Sequence, residues 1–251
     1  MKMLIGLVFI SVLVLQPLFA KYDDTKTWKL DANGIKELRV DVPVGSVEIV
    51  GSETTKEIVV TADIVIRKMD DDEAVEYLKK CKMDLVKKGD KAVFEFDLKK
   101  GKHHWFFGSS ISISIDITIE VPRSMNLDLS SGAGDFDVKK ITGNLTVETG
   151  AGNITLTDVK GIIEADSGAG NVEIKKVIGD VTVETGAGNI ELDDIKGDVD
   201  ADSGAGNISI NDIDGLIVAD TGIGNIDVSG KHKKVRANTG LGKCYIDDDE
   251  V

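Results

Sequence analysis

This chain of 251 residues is short of positive charge, since 44 aspartates and glutamates outnumber 30 lysines and arginines and give a net charge of -14. Most of the excess lies from Ser131 onward, where 23 acidic residues face 11 basic ones. Phosphate groups and anionic lipid surfaces attract basic proteins. The composition therefore argues against nucleic acid, and against an anionic membrane surface, as a partner.

Histidine and cysteine are also scarce, with three and two copies respectively. His103, His104 and His232 form no pattern of nucleophile, base and acid, and no cysteines or spaced carboxylates accompany them as in a zinc site. We therefore expect no enzyme, no catalytic residue and no cofactor. Cys81 and Cys244 are expected to be free buried thiols, because they should lie at opposite ends of the molecule.

Long apolar runs are missing after residue 20, so the processed chain is not expected to cross a membrane. Residues 1–20 combine Lys2, a long apolar run and a small residue at Ala20, which is typical of a secretory signal peptide. Cleavage there predicts an exported protein that is periplasmic, at the cell surface or secreted. An uncleaved membrane anchor is the alternative, because Leu18 is not ideal three residues before the cut.

What the sequence has in abundance is a turn of the form Ser/Thr-Gly-apolar-Gly, repeated every 18 residues. An invariant short period predicts one supersecondary unit that stacks on itself. The seven copies begin at Ser131, Thr149, Ser167, Thr185, Ser203, Thr221 and Thr239.

Each repeat predicts two short strands and two tight turns. The pairs Ile154/Leu156 and Ile163/Ala165 have the spacing of strands with one buried face, and the other repeats hold similar pairs. One turn reads Gly-Ala-Gly-Asn, and the other ends in a glycine, such as Gly161, where a positive backbone angle is expected.

The unvarying length of the repeat is incompatible with hairpins whose registers would differ from unit to unit. We therefore predict an all-β fold, a parallel and right-handed β-solenoid of about six 18-residue coils in residues 131–251. Residues 21–130 should form an irregular β-rich cap continuous with it, because an open coil end exposes unpaired backbone groups. One short helix is expected between Asp70 and Lys87, where acidic residues crowd the start and lysines the end.

Several of these features occur together in one known family. The signal peptide, the Gly45-Ser-Val-Glu-Ile49 opening, the Ile-rich strand that ends at Val121-Pro122 and the Gly-x-Gly-Asn-Ile repeats resemble the bacterial putative adhesins. The resemblance covers nearly all of the processed chain. It implies a β-strand-repeat domain of envelope and secreted proteins, of unknown function and without a catalytic signature.

We accordingly expect a monomeric, non-enzymatic binding or scaffold module at the cell envelope, with an envelope protein or a polysaccharide as partner. Two alternatives stay open. One is a structural spacer stiffened by calcium, and the other is a polysaccharide-active β-helix enzyme with a cleft in residues 21–130.

The first candidate site is the acidic column that faces outward just before each turn. Its carboxylates would stack about 4.8 Å apart and repel one another unless a cation bridges them, and calcium takes carboxylate and amide oxygens. A solvated acidic face beside structural asparagines is the alternative, because the turns lack the pattern of calcium-binding repeats. No metal site is assigned, and the calcium candidates are Glu148, Asp166, Glu184, Asp202 and Asp220.

The second candidate site is a loop in which basic residues precede Trp105, Phe106 and Phe107. Such a loop could contact a sugar, a membrane surface or a partner protein through its aromatic side chains. Alternatively, the aromatic side chains fold back over the first coil and serve the core. We take these three residues as the candidate partner-binding site.

Overall fold

The computed structural model describes residues 21–67, 70–97 and 112–247, so the predicted signal peptide and the Trp105 loop lie outside the described residues. The part that precedes the repeats contains seven strands and a helix in these ranges: β1 Lys21–Asp31, β2 Glu37–Val44, β3 Ser46–Ser52, β4 Glu57–Arg67, α1 Asp71–Lys80, β5 Lys82–Lys88, β6 Lys91–Asp97 and β7 Ser112–Pro122.

Fourteen further strands follow in the repeats, two for each copy of the turn. They are β8 Asn126–Ala133, β9 Phe136–Thr142, β10 Leu145–Thr149, β11 Ile154–Lys160, β12 Ile163–Ala169, β13 Val172–Ile178, β14 Val181–Ala187, β15 Ile190–Lys196, β16 Val199–Ala205, β17 Ile208–Ile213, β18 Leu216–Ile223, β19 Ile226–Ser229, β20 Lys234–Leu241 and β21 Cys244–Ile246.

The repeats wind between two facing sheets, and this confirms the predicted parallel β-solenoid. Sheet A contains the odd-numbered strands from β9 to β21, and sheet B contains the even-numbered strands from β8 to β20. Neighbouring strands pair in parallel with an offset of 18 residues, so that Leu145 lies beside Ile163 and Ile163 beside Val181. The repeats thus form seven coils, one more than the six expected.

The segment before the repeats also contributes coils to the stack. Strands β2 and β3 form a coil that pairs in parallel with β8 and β9 on one side and with β6 and β7 on the other. The Gly45-Ser-Val-Glu-Ile49 segment is therefore part of a coil. Strand β4 pairs antiparallel with β7, and β5 pairs antiparallel with β6. Strand β1 pairs antiparallel with β4, so β1 and β5 are the edge strands at this end of the two sheets.

The helix is shorter than predicted. It begins at Asp71 and ends at Lys80, with acidic residues in its first turn and lysines in its last, as the helix dipole favours. The residues expected to continue it form β5, which pairs antiparallel with β6. Pairing with the edge of sheet B thus overrides the helical pattern that Leu78, Cys81 and Leu85 share.

The core lies between the two sheets and consists mainly of aliphatic side chains. The inward residues of a repeat, such as Ile154, Leu156 and Ile163, are fully buried, whereas their neighbours along the strand face outward. At the capped end, the rings of Trp28 and Phe94 meet edge to face with centroids 5.4 Å apart. Period-two alternation therefore separates core from surface along the whole stack.

The positive backbone angle expected at the turn glycines is confirmed for two of them, and a second requirement applies to all four. Positive backbone angles occur at Gly161 and Gly179, but Gly197 and Gly215 are not in the left-handed region. A Cβ atom on Gly197 would lie 2.2 Å from the carbonyl oxygen of Gly179 in the preceding coil. These glycines are needed because the main chains of successive coils approach too closely for any side chain.

A left-handed position also interrupts the ladder of sheet A. Thr157 pairs with Lys175 and Val159 with Val177, and both strands skip the one position between these pairs. Its φ lies between 53° and 61° in five successive coils, at Lys140, Asp158, Lys176, Asp194 and Asp212.

Candidate functional site

A ladder of asparagines connects the Gly-x-Gly-Asn turns of successive coils. The amide of Asn171 donates to Oδ1 of Asn153 at 2.9 Å, and the amide of Asn189 donates to Oδ1 of Asn171 at 2.8 Å. The same bond recurs up to the last coil, where the amide of Lys243 donates to Oδ1 of Asn225 at 3.0 Å. Each side-chain carbonyl thus satisfies a backbone donor, and the asparagines serve the turns.

A second ladder runs along the inside of the same turns. The hydroxyl of Ser167 is fully buried and donates to the carbonyl oxygen of Gly152 in the preceding coil at 2.8 Å. Thr185, Ser203, Thr221 and Thr239 make the equivalent bond. The Ser/Thr and Asn positions of the repeat are therefore explained by structure, and the remaining candidates for function lie on the outer faces.

The predicted acidic column is present on the outer face of sheet B. Its carboxylates are direct register neighbours in successive coils, and Glu184 lies between Asp166 and Asp202. None of the residues along this column is basic, since Ser130 precedes Glu148 and Asn238 follows Asp220. A shallow depression beside it is lined by serine, threonine and glycine together with Glu148 and Asp166. Calcium binding there stays a prediction.

No group of three or more histidine, cysteine, aspartate or glutamate residues with a geometry for a metal ion occurs in the described ranges. The outer face of sheet A differs from the acidic column because a lysine lies among its carboxylates. Lys175 Nζ lies 2.7 Å from Glu173 Oε1 and 2.8 Å from Glu191 Oε1, and the hydrogen bonds that it donates to these two carboxylates raise the pKa of Lys175. The acidic column has no such partner.

Like charges placed directly opposite in a ladder destabilise a sheet, so removing one of them should help. We expect Glu184→Gln to raise the melting temperature by about 2 °C at low ionic strength, with a smaller gain in high salt. The matched control is Glu173→Gln, which removes a partner of Lys175 and should not raise the midpoint. We also expect EDTA to leave the melting temperature of the wild type unchanged. A lower melting temperature in EDTA would mean that the column binds calcium. A melting temperature that Glu184→Gln lowers in the presence of calcium would mean the same.

The last coil is a feature that the sequence analysis did not identify as a site. Residues 229–246 contain five basic residues and no acidic ones, whereas residues 211–228 contain four acidic residues and no basic ones. Strands β20 and β21 also form one end of each sheet. In the sequence, the last coil is marked by the block of lysines that begins at Lys231. This block interrupts both the acidic surface and the aliphatic pattern of the repeats.

The cysteines are both free, but the expectation that they are buried is wrong for Cys244. Cys81 is half-buried, and its Sγ donates to the carbonyl oxygen of Tyr77 at 3.5 Å. Cys244 takes the inward column next to Ile226, as expected. It is exposed because, in the part of the chain that the structure describes, no coil covers it.

The aromatic candidates Trp105, Phe106 and Phe107 fall outside the described residues. Their segment lies between β6 and β7 in the chain. Within the described ranges, no helix combines the length and the apolar character that a membrane span requires.

Comparison with known proteins identifies relatives by fold. Residues 35–242 match the Toastrack DUF4097 family, and no curated protein matches the chain. A putative adhesin from Bacteroides fragilis NCTC 9343 is 22% identical, with 88% of this chain and 96% of that chain covered and a TM-score of 0.57. This likeness shows that the two proteins share a fold.

Two other solved structures resemble the chain less closely. A putative cell adhesion protein from Clostridium sporogenes ATCC 15579 is 16% identical, with 90% of this chain and 99% of that chain covered and a TM-score of 0.42. A putative lipid binding protein from Parabacteroides distasonis ATCC 8503 is 17% identical, with 88% and 96% covered and a TM-score of 0.42.

Proposed function

This chain belongs to the Toastrack DUF4097 family, and we propose that it is an exported, non-enzymatic binding or scaffold module of the cell envelope. The relative from Bacteroides fragilis with the same fold is named as a putative adhesin, and we extend that role to this chain as part of the proposal. The partner would be an envelope protein or a polysaccharide. The protein would act as a monomer in the periplasm, at the cell surface or outside the cell.

The observation that carries the proposal is the strict register of the outer faces. Because every coil repeats the same turns, outward side chains lie in straight columns about 4.8 Å apart on two long sheets. Such a surface is rigid and presents the same chemistry several times, which suits an extended or repetitive partner. Within residues 126–228 the turns between coils also keep one length, so these turns raise no loop that could wall a cleft around a reacting group.

The second candidate function is a spacer stiffened by calcium. The stacked carboxylates of the acidic column favour it, since no basic side chain lies within that column. The EDTA measurement described above separates the two proposals, because a binding module should not require the ion for stability.

The aromatic loop supplies the direct test of the proposed role. We expect the triple variant Trp105→Ser, Phe106→Ser, Phe107→Ser to lose about tenfold in retention on isolated envelope fractions, because large aromatic side chains dominate contact energies. The matched control removes three exposed aliphatic side chains from one turn and two strand ends elsewhere in the stack, by Ile162→Ser, Ile178→Ser and Leu216→Ser.

Cell fractionation and co-sedimentation with envelope fragments would provide the measurement. Retention of the wild type and of the control, together with loss in the aromatic variant, would support the proposal and the loop as its contact. Equal retention of all three proteins would exclude the loop as the contact. A wild-type protein that stays in the cytoplasm, or that never sediments with envelope material, would overturn the function itself.

A further inference from the structure

The edge formed by β20 and β21 is open among the described residues. In the preceding coil, the amides of Gly224 and Ile226 donate to the carbonyl oxygens of Leu241 and Lys243, each at 2.9 Å. The equivalent amides of the last coil belong to Gly242 and Cys244, and they face the side on which no described strand follows. This edge therefore offers a template for one more strand in each sheet.

The inner layer of the last coil is also uncovered. Val235 and Ala237 pack against the core but are only half-buried, whereas Ile217, one coil before Val235, is 1% exposed. In β21, Ile246 is 43% exposed, although Val228 beside it is fully buried. An added strand would thus cover apolar surface as well as pair with backbone groups.

The charge of the last coil restricts what can bind there. Lys234 and Arg236 lie on the outward face of the edge strand β20, within the block of residues 229–246 that holds five basic residues and no acidic ones. The preceding repeats, residues 131–228, hold 19 acidic and 6 basic residues. A strand that adds to this edge would place its own outward side chains next to these two cations.

A second copy of the chain is a poor occupant. Joining two last coils would bring Lys234 and Arg236 of both copies together, and lysines on an edge strand discourage self-pairing. Head-to-tail stacking of two copies is also unfavourable in sheet B. The opposite edge strand of that sheet is β5, whose Lys82, Lys87 and Lys88 would repel the basic residues of β20. Charge complementarity therefore favours an acidic segment of another protein.

We propose that the open edge of β20 and β21 binds an extended acidic segment of a partner protein by strand addition. The segment alternates apolar side chains, which cover Val235 and Ala237, with acidic ones, which lie beside Lys234 and Arg236. This inference rests on the proposed binding function and names one contact surface and the chemistry of its partner.

The chain itself provides a probe of this composition. A synthetic peptide with the sequence of residues 197–214 holds five acidic residues and no basic ones, and it alternates Asp198 and Asp200 with Val199 and Ala201. Stacked as an eighth coil in the repeat register, it would place Asp198 beside Lys234 and Asp200 beside Arg236. The control peptide replaces Asp198, Asp200 and Asp202 by lysine and keeps the apolar positions.

Cys244 provides the readout, since its exposed thiol lies in the inward column of β21 and strand addition would bury it. We expect saturating acidic peptide to slow alkylation of Cys244 roughly fivefold and the control peptide to leave it unchanged. Alkylation of Cys81, at the other end of the stack, should not respond to either peptide. Absence of protection, or equal protection by both peptides, would overturn the proposal.

A charge-reversed protein adds a second, independent arm. The Lys234→Glu, Arg236→Glu variant should lose protection by the acidic peptide and gain it from the lysine peptide. Protection of Cys244 in the wild type without peptide, accompanied by dimers in sedimentation, would show that a second copy occupies the edge and would overturn the proposal. If neither peptide protects Cys244 but wild-type and variant proteins still bind envelope fractions, only the assignment of this surface is wrong. If the wild type does not bind envelope fractions, the proposed function itself is wrong.

Discussion

Gly188→Ala is expected to lower the free energy of unfolding by about 3 kcal/mol or more. The new Cβ atom would lie 1.9 Å from the carbonyl oxygen of Gly170 and 2.5 Å from its carbonyl carbon. Both atoms belong to the main chain of the neighbouring coil, so no side chain can turn away to make room. Relief requires the two coils to separate, which breaks the bond from the amide of Gly170 to the carbonyl oxygen of Ala187.

The matched control is Gly89→Ala in the hairpin between β5 and β6. A Cβ atom there meets nothing within 4 Å, but the residue has φ +69°. The control therefore measures backbone strain alone, and it should cost about 1 kcal/mol. Urea denaturation of both variants would provide the comparison, and equal losses would contradict the close approach of the coils.

Leu156→Ala is expected to cost about 3 kcal/mol, because a fully buried side chain in a central coil leaves a cavity that its neighbours cannot fill. Its neighbours along the inward column are Val138 and Ile174, which are held at fixed positions by the register on both sides. Repacking is thus limited by the stack.

The adjacent substitution Thr155→Ala should change the stability by only about 0.5 kcal/mol, because Thr155 faces outward. The two variants differ by one position in the chain, and denaturant midpoints would compare them. Comparable losses would mean that the two residues do not lie on opposite faces of the strand, which would contradict the assignment of inner and outer columns.

The sequence predicted the coils well because two independent signals agreed. The period-two pairs such as Ile154/Leu156 determine which face is buried, and the constant 18-residue spacing requires a parallel register. The coil of β2 and β3 was harder to place, since its neighbours in space are 40 or more positions away in the chain. Only the similarity of Gly45-Ser-Val-Glu-Ile49 to the repeat indicated that it belonged to the stack.

Three features could not be derived from local pattern. The helix stops at Lys80 because β5 pairs with β6, and that pairing depends on tertiary contacts. The left-handed residues within sheet A are lysines and aspartates such as Lys176 and Asp194, whose types do not indicate where the ladder is interrupted. Cys244 was assigned to the correct column, but its exposure depends on whether another coil follows.

The acidic column was predicted residue by residue, because outward positions in a strict register need no knowledge of packing. The open basic edge was not, although the lysines around Lys231 interrupt the pattern visibly. An edge is a property of the assembled sheets, and the sequence shows it only as a failure of the repeat. Its assignment as a contact surface thus required the order of strands in both sheets.

Deletion of one whole coil tests most directly the claim that this protein is a stack of equivalent coils. Removing residues 163–180 joins Ile162 to Val181, which occupies the same column as Ile163, so every later strand keeps its sheet and its register. Removing only residues 163–171 joins Ile162 to Val172, a residue of the opposite sheet. We predict that the first variant gives the circular dichroism spectrum and cooperative unfolding of the wild type, and that the second does not fold. Equal tolerance of both deletions, or failure of both, would contradict the account.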